Sequence, residues 1–210
     1  VSGAFVVAFV PGVTPGKWAR VWGERMPQHP LTLTPLPQAD AVGALVAREA
    51  DAVFVRMPAP DGFAAIPLYE EQPVVVMAKD HELSILDAVS PNDLTGIHLI
   101  DGDWAAAVEL AATGVGVAIM PHSVARALSR RDVVARSAID QPVTRIALVW
   151  DEGAASDLTE EFIGIVRGRT ANSSRGAAPV KEQEKSKPRP KPAAAARRKS
   201  GTPQKRSKRR

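Results

Sequence analysis

The sequence has 210 residues, no cysteine and a formal net charge of +4. That length allows one ordinary domain or two small lobes, and the lack of cysteine excludes disulfide scaffolds, thiolate metal sites and cysteine nucleophiles. The charge is unevenly held: residues 171–210 carry 14 Lys/Arg against 2 Glu, whereas residues 1–170 carry 13 Lys/Arg against 21 Asp/Glu. The calculated pI of 9.6 therefore belongs to the terminal segment, and the acidic body is not read as a nucleic-acid-binding domain.

In chain order, Ala4–Val10 (AFVVAFV) is an apolar run of strand length, ended by Pro11-Gly12. It is too short to span a bilayer, and no basic segment precedes it, so no signal peptide is expected. The sequence opens on Val1 instead of Met; a partial or matured chain, or an unusual start codon, would each explain that. Thr14-Pro15-Gly16 reads as a helix entry, Thr14 as N-cap and Pro15 in the first turn, with the helix over Lys17–Met26. Leu31–Leu36 alternates as a second strand. Asp40 is expected to cap a helix over Ala41–Arg48, and Ala52–Val55 is a third, buried strand. Strand, helix, strand, helix, strand with short links predicts a mostly parallel sheet.

Ile66–Leu68 and Val74–Met77 follow as strands, separated by Glu70-Glu71-Gln72-Pro73. The pattern then predicts a helix over Pro91–Leu94 capped by Ser90, a strand Ile97–Ile100 and a helix Trp104–Ala112. A strand Val115–Ile119 and a helix Pro121–Ser129 come next, then strands Val133–Ala138 and Thr144–Trp150. A last helix spans Asp157–Arg167, capped by Ser156, with Glu160 in the capping-box position relative to Asp157.

Motifs for enzymatic chemistry are missing. Gly114-Val115-Gly116 lacks the third glycine of a dinucleotide loop and leads into a strand. Asp101 and Asp103 are two apart without a His or further carboxylate to complete a metal site, so turn formation and capping before Trp104 is the reading preferred. The four histidines, His29, His81, His98 and His122, are scattered. No G-x-S-x-G or P-loop is present, so the chain is read as a non-enzyme without cofactor or metal.

Beyond Asn172 there is no aromatic residue, and Val180 is the one large aliphatic. That composition predicts a disordered basic tail over 171–210. Lys187, Arg189, Lys191, Arg197, Arg198, Lys199, Lys205, Arg206, Lys208, Arg209 and Arg210 are its candidates for contact with nucleic-acid phosphates. A solubilising tail or a tether to an acidic partner is the plainer alternative.

Taken in order, the segments resemble the effector-binding domain of LysR-type transcriptional regulators. AFVVAFVPGVTPGKWARVWGERMPQHPLTLTPL is similar to the family's opening, with His29-Pro30 at its "yP" position. EADAVFVR resembles the family's third-strand motif. IPLYEEQPVVVMAKDHEL has Pro67-Leu68 and His81 in register with the next one, and SPNDLTG and ATGVGVAIMPHSVA follow suit. The resemblance covers residues 3–167. It implies an α/β, two-lobed fold of the type II periplasmic-binding-protein kind over residues 1–170. Lobe I would span about 1–78 and 138–170, and lobe II about 79–137, with hinges near Met77–His81 and Val133–Ala138. The family's N-terminal winged helix-turn-helix has no counterpart in the sequence, and the short distance from Leu94 to Gly114 predicts a reduced second lobe, short of about one helix and one strand.

The resemblance also implies a small, anionic metabolite, such as an organic acid, between the lobes. Thr14, Pro15 and Gly16 stand at its first binding loop, where a helix N-terminus favours anions. Arg56 and Met57 follow the third strand, where open α/β sheets bind ligands; a solvated loop arginine is the alternative for Arg56. Asp101, Met120 and His122 complete the candidate set. A homodimer is implied through the helices Lys17–Met26 and Pro121–Ser129, whose apolar residues would then be interface. The resulting expectation is the sensing and dimerising domain of a cytoplasmic LysR-like regulator, with DNA contact through the tail or a further domain and no membrane contact. The alternative is a stand-alone small-molecule-binding or scaffold protein with no DNA role. An extracytoplasmic solute-binding protein is disfavoured by the lack of signal peptide and lipidation cysteine.

Overall fold

The computed structural model describes residues 3–169. The predicted tail and its candidate phosphate contacts lie outside the described residues. Within them the chain forms β1 (Phe5–Phe9), α1 (Gly16–Arg25), β2 (Leu31–Pro35), α2 (Ala41–Val46), β3 (Ala52–Arg56), β4 (Ala64–Glu71) and β5 (Pro73–Ala78). There follow β6 (Ala88–Val89), α3 (Trp104–Ala112), β7 (Ala118–Pro121), α4 (His122–Ala127), β8 (Val133–Ala138), β9 (Thr144–Trp150) and α5 (Asp157–Val166).

Two sheets divide the strands. The first has the order β2-β1-β3-β9-β4, the second β6-β8-β5-β7. The parallel sheet expected from the opening pattern is confined to β2-β1-β3, since β9 runs antiparallel to both β3 and β4. Pro35 lies at the end of β2, an edge strand, and Pro67 lies in β4 at the opposite edge, where a missing ladder N–H is tolerated.

Each sheet defines a lobe. Around the first, α1 packs on α5, and α2 packs on β1 and β3. Its core is aromatic: Phe5 stacks on Trp22 at 4.9 Å, Trp18 stacks on Phe54 at 4.7 Å, and Phe162 meets Trp22 edge-on at 5.8 Å. Trp18 and Trp22, expected at a dimer interface, are 7% and 1% exposed, because they fill this core. In the second lobe β5 is buried on both faces. Val74 and Val76 join α3 and α4, whereas Val75 and Met77 join Leu83, Val89 and Leu94. Val124 of α4 is likewise core and not interface.

The crossings between lobes depart from the expected hinges. β4 ends at Glu71 in the first sheet and β5 begins at Pro73 in the second. The first crossing is therefore Gln72, several residues before Met77–His81. The return lies between β8 and β9, at residues 139–143, after Val133–Ala138. The strand Val74–Met77 accordingly belongs to lobe II. Glu70 and Glu71, whose charge suggests a loop, continue β4 and pair with Arg145 and Thr144.

Other differences are local. Residues 91–96 form turns and not a helix, and Ile97–Ile100 contributes one bridge, Leu99 to Val117, and no strand. Gly116 has its Cβ position against the His98 carbonyl oxygen, so this close approach of two segments requires glycine. Asp103 caps α3 by accepting from the Ala106 amide, as read from sequence. Asp40 makes no side-chain cap on α2. The capping box of α5 pairs Ser156 with Thr159, because the helix starts one residue earlier than a box between Asp157 and Glu160 requires.

No helix among the described residues is long and apolar enough to cross a membrane.

Candidate functional site

The carboxyl ends of β3 and β4 bring two charges together. The Gln38 side chain clamps the Arg56 backbone, accepting from its N–H at 3.0 Å and donating to its carbonyl at 3.0 Å. The Arg56 side chain turns inward and is 5% exposed as a residue, as is Glu71. Arg56 Nε donates to Glu71 Oε2 at 2.7 Å and Nη2 donates to Oε1 at 3.1 Å. This is the bidentate fork that matches guanidinium to carboxylate. The Thr144 hydroxyl donates to Oε2 at 3.0 Å, and the Ser123 hydroxyl of α4 donates to Oε1.

The guanidinium is held on other sides too. Nη2 also donates to the Pro11 carbonyl at 2.7 Å, and the group lies over the Trp104 ring at 4.9 Å from its centroid. Nη1 is buried with no oxygen partner among the described residues. Arg56 is thus no solvated loop arginine. It is neutralised internally, and two residues of lobe II, Ser123 and Trp104, reach across to the pair.

Gly12 makes that approach feasible. Its φ is +90°, and a Cβ there would sit 2.5 Å from Ser123 Oγ, 3.0 Å from Arg56 Nη2 and 3.1 Å from Val124 Cγ2. Gly12→Ala is therefore expected to cost about 1–3 kcal/mol through backbone strain and overpacking. Denaturant titration should show a smaller cost in a Ser123→Ala background, where the nearest atom is gone; equal costs would mean that Ser123 does not press on this loop.

Two open cavities flank the loop. One, of about 470 Å³, is lined by Gly12, Thr14, Gly16, Lys17 and Tyr69 of lobe I and by Ser123 of lobe II. The other, of about 620 Å³, shares Gly12, Thr14 and Ser123 and adds Arg126 of α4. Helix α1 opens on the first cavity with Pro15 at its N-cap and no side-chain cap, so Thr14 does not spend its hydroxyl as the expected cap.

Of the residues singled out by sequence, Thr14 and Gly16 line the first cavity and Pro15 stands between them. Arg56 is locked in the ion pair. Met57, Asp101, Met120 and His122 line neither cavity. Met120 is 2% exposed because β7 turns it into the lobe II core. His122 contributes its backbone N–H, which donates to the Gln72 carbonyl at 2.9 Å, and its side chain faces solvent. Sequence reading missed Lys17, Tyr69, Glu71, Ser123 and Thr144. Only Lys17, directly after the predicted helix entry, carried a local signal. Among the described residues no three His, Asp or Glu side chains gather where they could hold a metal ion.

Tyr69 reports on this site. Burial raises its phenol above the ordinary value of 10.0, the Glu71 charge raises it further, and Arg56 opposes both. The fold therefore favours neutral phenol: the stabilisation is complete below the ordinary value and is lost as pH rises through the higher folded one. The chain has one tyrosine, so phenolate absorbance reads Tyr69 alone. Its midpoint should fall in Glu71→Gln and rise in Arg56→Met; no change in either would disconnect Tyr69 from the pair.

Comparison with known proteins accords with this architecture. The family model described as LysR substrate binding domain matches residues 2–101 and 102–171. The structure of oxidised OxyR is 21% identical with a TM-score of 0.63, covering 80% of this chain and 96% of that one. The effector binding domain of a BenM variant is 15% identical with a TM-score of 0.67, covering 81% and 96%. Full-length CbnR complexed with its target DNA is 18% identical with a TM-score of 0.64, covering 80% and 71%. No curated protein sequence matches the chain.

Proposed function

The chain belongs to the LysR substrate binding domain family, and we propose on that premise that it senses a small anionic metabolite, such as an organic acid, between its two lobes. The family is one of regulatory effector-binding domains and not of enzymes. The observation that carries the reading is the cavity of about 470 Å³ to which both lobes contribute. An occupant there touches Thr14, Gly16 and Lys17 on one side and Ser123 on the other, so binding favours one arrangement of the lobes over another. The Lys17 ammonium and the uncapped start of α1 suit a carboxylate. Readout then passes through a homodimer to a transcription complex in the cytoplasm. The basic segment 171–210 supplies phosphate contact.

Two measurements test this. In a thermal-shift screen of small organic acids, at least one acid at about a hundred times its Kd should stabilise the chain by about 2.7 kcal/mol, and Lys17→Ala should abolish the response. A flat screen sinks the sensing reading. Retention on duplex DNA should weaken with salt and vanish on deleting 171–210; retention unaffected by the deletion removes the tail from the mechanism.

A second reading is a stand-alone binding or scaffold protein of the same fold with no DNA role. It is favoured by the small second lobe, where a single bridge at Leu99 occupies the place of an expected strand.

A further inference from the structure

We propose that Glu71 is a built-in ligand: its carboxylate fills an anion site made by Arg56, Ser123 and Thr144 and holds the two lobes together with no exogenous molecule bound. The inference concerns the contact between the lobes and goes beyond the sensing of an effector in the neighbouring cavity.

The site has the chemistry of a receptor for a carboxylate. A guanidinium fork meets both oxygens, at 2.7 and 3.1 Å, and one hydroxyl donates to each oxygen. The donors are not neighbours in sequence: Arg56 lies 15 residues from Glu71, Ser123 52 and Thr144 73. They come from the end of β3, from α4 and from the start of β9, as the donors of a ligand pocket between lobes would. Arg56 and Thr144 belong to lobe I and Ser123 to lobe II, so one carboxylate is shared across the boundary. The Arg56 and Glu71 side chains are 6% and 2% exposed, which marks the site as already occupied and closed to solvent. The carboxylate is tethered, so the chain bears no translational cost in filling the site, which a free acid must meet on binding.

The test uses the full chain carrying Glu71→Ala, which removes the carboxylate and leaves its three donors. Sodium acetate is titrated at constant pH against sodium chloride of matched ionic strength. In Glu71→Ala, acetate should raise the Tm saturably, by about 3–6 °C at about ten times its Kd. It should leave the unsubstituted chain unmoved, and Arg56→Met/Glu71→Ala should not respond. If Glu71→Ala is unfolded at the outset, the same titration is followed as acetate-specific recovery of near-ultraviolet circular dichroism, against the same double variant.

Small-angle scattering supplies an independent readout. The unsubstituted chain should be as compact without ligand as Glu71→Ala becomes with acetate. No acetate-specific response in Glu71→Ala, or an equal one with and without Arg56, overturns the proposal. A flat organic-acid screen on the unsubstituted chain counts against the effector reading alone, since acetate binding to Glu71→Ala is decided separately.

Discussion

Arg56→Met should destabilise the chain by about 3–5 kcal/mol, the range for removing one partner of a buried ion pair. Methionine fills much of the arginine stem's volume, so the loss is electrostatic more than steric. Glu71 would keep its two hydroxyl donors but lose the fork that neutralises it. Arg56→Lys should recover only part of the stability, because an ammonium cannot present two parallel N–H groups to a carboxylate and also reach the Pro11 carbonyl.

The double variant Arg56→Met/Glu71→Leu should be far less damaged than the sum of its parts, since apolar replacement of a whole buried pair is often near neutral. Urea unfolding of the four proteins forms a cycle whose coupling term is the quantity sought. A single-variant loss below about 1 kcal/mol would place the pair in the range of solvated surface bridges and remove its role in holding the lobes.

Trp22→Ala should cost a comparable amount, about 3–5 kcal/mol, for a different reason. The indole is stacked on Phe5, meets Phe162 edge-on, and donates its Nε1–H to the His29 carbonyl at 2.7 Å. Alanine leaves a cavity in the middle of the lobe I core and an unsatisfied carbonyl at its edge. Trp22→Phe separates the two effects: the ring contacts persist, and the lost hydrogen bond costs about 1 kcal/mol. Because β5 and its two flanking clusters share no residue with this core, amide exchange in Trp22→Ala should accelerate first in β1, β3 and α5. Equal acceleration in β5 and β8 would show that the lobes unfold as one unit.

The elements that sequence reading located well are those whose signal is local. β1, α1, β2, α2 and β3 follow from apolar runs and helical spacing punctuated by Pro and Gly, and their parallel pairing follows from short links. Elsewhere the outcome depends on partners that the local sequence does not show. Ile97–Ile100 has strand composition, but it lies between turns at Gly96 and Gly102, both with positive φ, and finds one bridge. Glu71 was illegible because nothing near it in sequence distinguishes it from Glu70, which sits on the same strand half-exposed and pairs with Arg145 at the surface. What separates the two is a set of donors 15, 52 and 73 residues away. Met120, in the candidate set between the lobes, differs in the opposite sense, since its alternation in β7 points it into the core.

The one-residue crossing at Gln72 limits what the domain can do mechanically. A single residue spans about 3.5 Å at most, so the two sheets cannot draw apart where β4 hands over to β5, and the Gln72 carbonyl is further tied to the His122 amide. Any opening has to be a swing about this point and the return segment 139–143, with travel that grows toward the far rims of the lobes. Paired spectroscopic labels would see little beside Gln72 and most at the rims, and a chain without cysteine accepts such labels at chosen positions with no background.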